Sequence, residues 1–306
     1  MKPIVILGIF VADTAYRADR MPKMGETILG RTFALGPGGK GSNQAVAAAM
    51  AGGRTHFITR LGRDDFAAIA RSTWDRAGVH GEVTEDAESY TGAAFIFLEE
   101  ATGNNAIIVA PGAAARITPE DLEAKAGLIQ GASIFVTQLE QPIPAARRGL
   151  EIARAAGVRT ILNPAPAADL DDALLLLCDF VTPNESEAEA LTGLPVTSLT
   201  EAECAADALL ARGVGACVIT LGGNGALYRD RERSVHVPVI NAGPVVETTG
   251  AGDAFNGGFA VALSEGRDVV DAVRFGCATA GISVTRPGTA PAMPTRAEIE
   301  ALLARQ

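Results

Sequence analysis

Two glycine-rich stretches hold the residues of this chain best equipped for chemistry. Towards the C-terminus, "ETTGAGDAFNGGFAVAL" (residues 247–263) sets Gly250-Ala251-Gly252-Asp253 before a run in which Ala254, Phe255, Gly258, Phe259 and Ala262 share one helical face. The four residues therefore form the turn entering a helix. Amides at a helix N-terminus lack intrahelical acceptors and carry the positive end of the dipole, so they suit the oxygens of a phosphoryl group in transit. Asp253 has the type and place of an N-cap. A carboxylate against an anion-binding turn is unfavourable unless it has a proton to accept, as from an attacking hydroxyl.

The second stretch is "GPGGKGSNQA", residues 36–45. Gly36, Gly38 and Gly41 satisfy G-x-G-x-x-G, and Lys40 suggests a P-loop. The dinucleotide reading needs this loop to leave the first strand, with an acid about 20 residues later. The first strand instead runs into Gly8-Ile9-Phe10-Val11-Ala12-Asp13, and Thr59-Arg60-Leu61-Gly62 supplies no acid. The P-loop reading needs Ser or Thr after Lys40, where Gly41 stands, and a glycine where Ala34 stands. Both fail. What survives is a tight turn placing Lys40, backbone amides and Asn43 at the start of an Ala-rich helix over 42–51, able to hold hydroxyls or anions.

The elements that must position these turns alternate. Short apolar runs at Ile4–Leu7, Ile134–Gln138, Thr160–Leu162, Phe180–Thr182 and Cys217–Thr220 have the length and flanks of strands buried on both faces. Helical patterns over 144–156, 185–191 and 201–212 separate them, which predicts a parallel sheet between helix layers in a single domain over 1–306. Residues 11–36 and 91–110 break the pattern, with strand-like pieces at 27–35, 93–98 and 105–109 and a hairpin turn at Gly103-Asn104-Asn105. They predict a small sheet projecting from the core as a lid.

The net charge of −10 excludes an electrostatic footprint for nucleic acid or anionic membrane. No apolar run approaches the roughly 18 residues of a membrane span, and the opening Met1-Lys2-Pro3-Ile4 stretch is too strand-like for a signal peptide. Cys178, Cys204, Cys217 and Cys277 lack C-x-x-C spacing, and His56, His80 and His236 fall in no metal-ligand pattern. A cytoplasmic protein with reduced thiols is expected.

With G-G-K-G-x-N-Q-A near one end and G-A-G-D-x-F-N-G near the other, the chain resembles the ribokinase (PfkB) carbohydrate kinase family over essentially its whole length. "GET" (25–27), "QLE" (138–140), "LNPAPA" (162–167), "TPNESEAEALTG" (182–193), "ITLGGNGA" (219–226) and "VTRPG" (284–288) match as well. The resemblance implies an α/β fold, a three-layer α/β/α sandwich with a mostly parallel central sheet and a β lid. It implies transfer of the γ-phosphoryl of ATP to a sugar hydroxymethyl group, with D-ribose giving ribose 5-phosphate.

By the same resemblance, Asp253 is the general base and the amides of Gly250, Ala251 and Gly252 form the anion hole. Asp13, Gly39, Lys40, Asn43 and Glu140 match sugar contacts, so the opening loop holds the acceptor. Asn184, Thr220, Gly222, Gly225, Gly252 and Cys277 match the ATP site. Glu187 matches the N-x-x-E motif tied indirectly to Mg2+, although Asn184 and Glu187 also read as a capping box. Glu247, Thr249, Ser283 and Gly288 fall at the family's monovalent-cation site. There the chain departs: Glu247 replaces an Asp and Ala292 a Ser, so K+ activation weaker than the family's is expected. Val11 replaces a ribose-binding Asn, while Asp13, of the same strand parity, is retained. Another sugar, phosphosugar or nucleoside kinase is the nearest alternative. Outside kinases, a dehydrogenase is disfavoured by the failed fingerprint, and a non-catalytic sugar or nucleotide sensor would have no need of Asp253. A homodimer through the exposed lid is expected.

Overall fold

Ile4 and Ile6 of the first strand enter one apolar cluster, while Val5 and Leu7 between them enter another. A strand with successive side chains buried on opposite faces must lie inside a sheet covered on both sides. The computed structural model describes residues 2–102 and 104–305, and among these it has that architecture.

The main sheet comprises β1 (Ile4–Leu7), β4 (Thr55–Leu61), β5 (His80–Glu85), β8 (Ile134–Thr137), β9 (Arg159–Leu162), β10 (Phe180–Val181), β11 (Ala216–Thr220), β12 (Ala226–Arg229) and β13 (Ser234–Val237). Its order is β13-β12-β11-β10-β9-β8-β1-β4-β5. Pairing is parallel from β11 to β5 and antiparallel only where β12 and β13 fold back. One face is covered by helices Lys40–Met50, Asp65–Ala77, Ala251–Ser264, Val269–Ser283 and Arg296–Leu303. The other carries Ile143–Ala155, Glu185–Thr192 and Leu199–Ala211. Trp74 anchors the first layer, edge-on to Phe10 and Phe57, with its indole N–H donated to Ser42 Oγ at 2.9 Å.

A second sheet has the order β3-β2-β6-β7, from β2 (Val11–Ala18), β3 (Thr32–Gly38), β6 (Thr91–Glu99) and β7 (Asn105–Gly112). The piece expected at 27–35 starts and ends later, because β3 pairs along β2 from Arg17↔Thr32 to Val11↔Gly38. Gly103 of the expected hairpin lies outside the described residues; Asn104 accepts from the Glu99 amide, and Asn105 opens β7. Tyr16, Phe33, Leu35, Ile107, Ile108 and Val109 leave this sheet with exposed apolar side chains.

Parallel strands bring their C-terminal ends to one edge, where ligands bind in open α/β sheets. Gly8, Gln138, Asn163 and Thr182 follow β1, β8, β9 and β10, and Thr220 ends β11.

Candidate active site

The first glycine turn begins the helix two residues earlier than the Ala-rich pattern predicts. Gly39 is its N-cap at φ 89°, and a Cβ there would lie 2.5 Å from the Ile9 carbonyl oxygen. Left-handed backbone and close approach together require glycine. Lys40 is thus the first helical residue, and its amide donates to Glu140 Oε2 at 2.8 Å.

Asp253 differs from the N-cap expectation. The cap of helix Ala251–Ser264 is Gly250 at φ 80°, which puts Asp253 in the first turn with its side chain facing helix Lys40–Met50. Its Oδ2 accepts from Asn43 Nδ2 and its Oδ1 from Gln44 Nε2, each at 3.1 Å. The helix begins too early for Asp253 to cap it, so the carboxylate is free for another use. The turn is also narrower than expected: the Ala251 amide is committed to the Thr248 carbonyl at 3.1 Å. Gly252 and Asp253 then supply the amides left over for an anion.

Asp253 borders a polar cleft shared with Lys40, Asn163, Thr182, Asn184, Glu187, Thr220, Gly250, Ala251, Gly252 and Asn256. Burial raises the Asp253 carboxyl above the usual range, opposed by Lys40, Asn43 and Gln44. Burial, with the charges of Asp253 and Glu247, pushes Asp13 up to about 6. Glu140 rises to about 7, again chiefly by burial, against the pull of Lys40. Burial opposes the charge of Lys40, but Asp253, Glu140 and Glu187 more than offset it and raise its pKa. One ammonium thus serves three acids, and such a site favours ligands that bring hydroxyl donors. Asn43 Oδ1, buried and without a donor, is a further acceptor awaiting one.

A second, more apolar cleft of about 380 Å3 adjoins the first, within the size range of small-molecule sites. Gly222, Gly225 and Cys277 line it with Val239, Val245, Phe255 and Val284, while Asn184, Thr220, Thr248, Ala251 and Gly252 border both clefts. At Gly225, φ 94°, a Cβ would lie 2.1 Å from the Val237 carbonyl oxygen. Asn184 and Glu187 do form a capping box: Asn184 Oδ1 accepts from the Glu187 amide at 2.8 Å, and Glu187 Oε2 from the Asn184 amide at 2.9 Å.

The remaining candidates lie on adjoining loops. Glu247 Oε2 accepts from the Gly288 amide at 2.7 Å, and Ser283 Oγ donates to its own helix at the Ala280 carbonyl. Thr249 is exposed and Ala292 is buried. Val11 is buried in the apolar cluster that contains Ile9 and Ala94, and it lines neither cleft. Sequence reasoning gave no individual role to Gln138, Asn163, Thr182, Asn256 or Phe255. The available signal was a polar residue directly after an apolar strand run, at 138, 163 and 182.

A doubly covered parallel sheet with a buried carboxylate at a helix N-terminus, between a polar and an apolar cleft, defines a phosphotransferase for small molecules. The chain belongs to the pfkB family of carbohydrate kinases, whose sequence profile matches residues 1–296. A ribokinase of Haemophilus influenzae is 36% identical over 97% of both chains. A deoxyribokinase of Salmonella typhi is 35% identical over 95% of both. The structure of Arabidopsis thaliana ribokinase complexed with ribose and ATP superposes with a TM-score of 0.93 at 33% identity, covering 99% of this chain and 98% of that one. Among the described residues no helix is long and apolar enough to cross a membrane.

Proposed function

We propose that the protein transfers the γ-phosphoryl group of ATP to the primary hydroxyl of a pentose, with D-ribose giving ribose 5-phosphate. The observation that carries this is Asp253: a buried carboxylate at a helix N-terminus, fixed by two amides and facing Lys40. The ribose- and ATP-bound relative supports the choice of substrates. In this reading Asp13, Gly39, Lys40, Asn43 and Glu140 hold the sugar at the Lys40 and Asp253 end of the polar cleft, of whose lining Lys40 alone among these five is part. The adenosine lies along the apolar cleft beside Gly222, Gly225 and Cys277, with Asn184 and Thr220 near its phosphates.

Asp253 accepts the proton of the hydroxyl as that oxygen bonds to phosphorus and the bond from phosphorus to the ADP oxygen breaks. The amides of Gly252 and Asp253, with Lys40, stabilise the phosphoryl oxygens. Glu187 fits an indirect Mg2+ role, since only Oε2 is used by the cap and the side chain lines the polar cleft; bound Mg2+ would neutralise phosphate charge. A potassium ion fits less well, because Glu247 is one methylene longer than the family's Asp, with its Oε2 on the Gly288 amide, and Ala292 has no side-chain ligand atom. No step is assigned to it.

The small sheet over about 11–36 and 91–110 acts as a lid, and its exposed apolar side chains support a homodimer through it. A sedimentation measurement with Phe33→Glu checks the dimer. A cytoplasmic location belongs to the same reading. A second acceptor is a pentose lacking a hydroxyl, in keeping with the deoxyribokinase relative and with Val11 where the resemblance puts a ribose-binding Asn, a position that lines neither cleft here. The test is ADP release from Mg-ATP with a panel of sugars and nucleosides. ADP release with a pentose is expected; sugar or NAD(P) binding without ADP release contradicts it.

A further inference from the structure

Gln138 is fully buried, and its Oε1 has no hydrogen-bond donor. The amide is held all the same: a Cβ on Gly8 or Gly41 would lie 2.5 or 2.8 Å from that oxygen, so two glycines make its space. Its Nε2 donates to Gln44 Oε1 at 2.6 Å. That bond and the acceptor-only carboxylate of Asp253 together decide which way the Gln44 amide faces. With Oε1 held by Gln138, Nε2 is turned to Asp253 Oδ1 and Asn163 Oδ1, each at 3.1 Å.

Asn163 is oriented in the same sense, because its Nδ2 donates to the Thr182 carbonyl at 2.9 Å and leaves Oδ1 for Gln44. Thr182 Oγ1 then donates to Asn256 Oδ1 at 2.6 Å, and Asn256 Nδ2 to the Gly252 carbonyl at 2.8 Å. A chain of buried side chains therefore leaves the Asp253 carboxylate and returns to the backbone one residue before it. It spans the ends of β9 and β10 and two helices.

We propose that Gln44, locked in one orientation by Gln138, is the positioning residue of phosphoryl transfer: it aims the Asp253 carboxylate at the acceptor hydroxyl and registers it against the Gly252 turn. The inference rests on Asp253 being the base. A reversed Gln44 amide would set oxygen against oxygen at Asp253 Oδ1 and turn the carboxylate away. Proton abstraction needs hydrogen-bond reach, and small misplacements of reacting groups cost up to about 100-fold in rate.

The experiment measures kcat, KM for sugar, KM for ATP and Tm in the parent, Gln44→Met, Gln138→Met and Asp253→Asn, and in Asp253→Asn combined with Gln44→Met. Gln44→Met is expected to lower kcat ~10- to 100-fold with both KM values within about 2-fold. Gln138→Met should lower kcat ~3- to 10-fold with only a small change in Tm, because the unpaired Oε1 of Gln138 is removed while Gln44 Oε1 loses its donor. In the Asp253→Asn background, Gln44→Met should cost less than about 2-fold more, since its effect passes through the carboxylate. Parental kcat in both methionine variants overturns the proposal, as does an equal fold-loss with and without Asp253. Should Gln44→Met fail to fold, Gln138→Met decides alone. A parent that phosphorylates no sugar overturns the sugar-kinase reading and this inference with it; an active parent with unaffected variants overturns only the role of Gln44.

Discussion

The backbone amide of Lys40 donates to Glu140 Oε2 at 2.8 Å, joining the first turn of a helix to a loop a hundred positions on. Because burial outweighs Lys40, Glu140 titrates at about 7 in the folded protein against 4.5 ordinarily. The folded state then binds more protons than the unfolded one between those values, so this group's contribution is full below about pH 4.5 and is lost as pH rises through 7. At 1.36 kcal/mol per unit the ceiling is about 3 kcal/mol, reduced by solvent in the cleft. Glu140→Gln keeps an acceptor for Lys40 without the charge. It should melt several degrees higher than the parent at pH 8, with the gap closing towards pH 4.5. A gap independent of pH would contradict the assignment.

The monovalent cation gives a second expectation. Glu247 is one methylene longer than the family's Asp, with its Oε2 on the Gly288 amide, and Ala292 supplies no oxygen from its side chain. Potassium activation should be weak or absent. Titrating KCl against a non-coordinating cation at constant ionic strength measures it. A many-fold saturable response would mean that backbone carbonyls alone make the site.

Val11 lines neither cleft, but it lies two residues from Asp13 on the same strand face and bears on the acceptor if the bound sugar reaches it. A lost neutral hydrogen bond costs about 0.5–1.5 kcal/mol and a buried unpaired hydroxyl about 1–3 kcal/mol, which together span roughly 2- to 150-fold in binding. Ribose should be accepted, but less well than a pentose with an apolar edge at this point. Val11→Asn should raise kcat/KM for ribose relative to that pentose, at some cost in Tm because Val11 sits in the core. Ribose already preferred with micromolar KM, and unimproved by Val11→Asn, would remove Val11 from the account.

Much of this was legible in the chain itself. Runs such as Ile4–Leu7 and Cys217–Thr220 could only be strands buried on both faces, and the two glycine signatures brought their turns into one site. Local patterns could not show that Gly250 caps the helix and frees Asp253, because Asp and Gly both suit an N-cap and only φ at 250 separates them. Nor could they show that Ala251 spends its amide on Thr248. Gln138, Asn163 and Asn256 were beyond reach for another reason: an amide has no directional meaning until its neighbours, here from four separate elements, fix which end is the donor.

The central claim is that Asp253 takes the proton of a sugar hydroxyl, and Asp253→Asn tests it most directly. Asparagine keeps the shape and an oxygen for Gln44, the unpaired Asn43 Oδ1 can turn to accept from its new amide, and Lys40 keeps Glu140 and Glu187, so Tm should not fall far. The measurement is kcat for pentose phosphorylation, followed by ADP release at saturating Mg-ATP, beside KM for ATP. The account predicts kcat lower by roughly 10²- to 10⁴-fold, the scale of general-base loss, with KM for ATP nearly unchanged. A folded Asp253→Asn protein turning over pentose at close to the parental rate would contradict it.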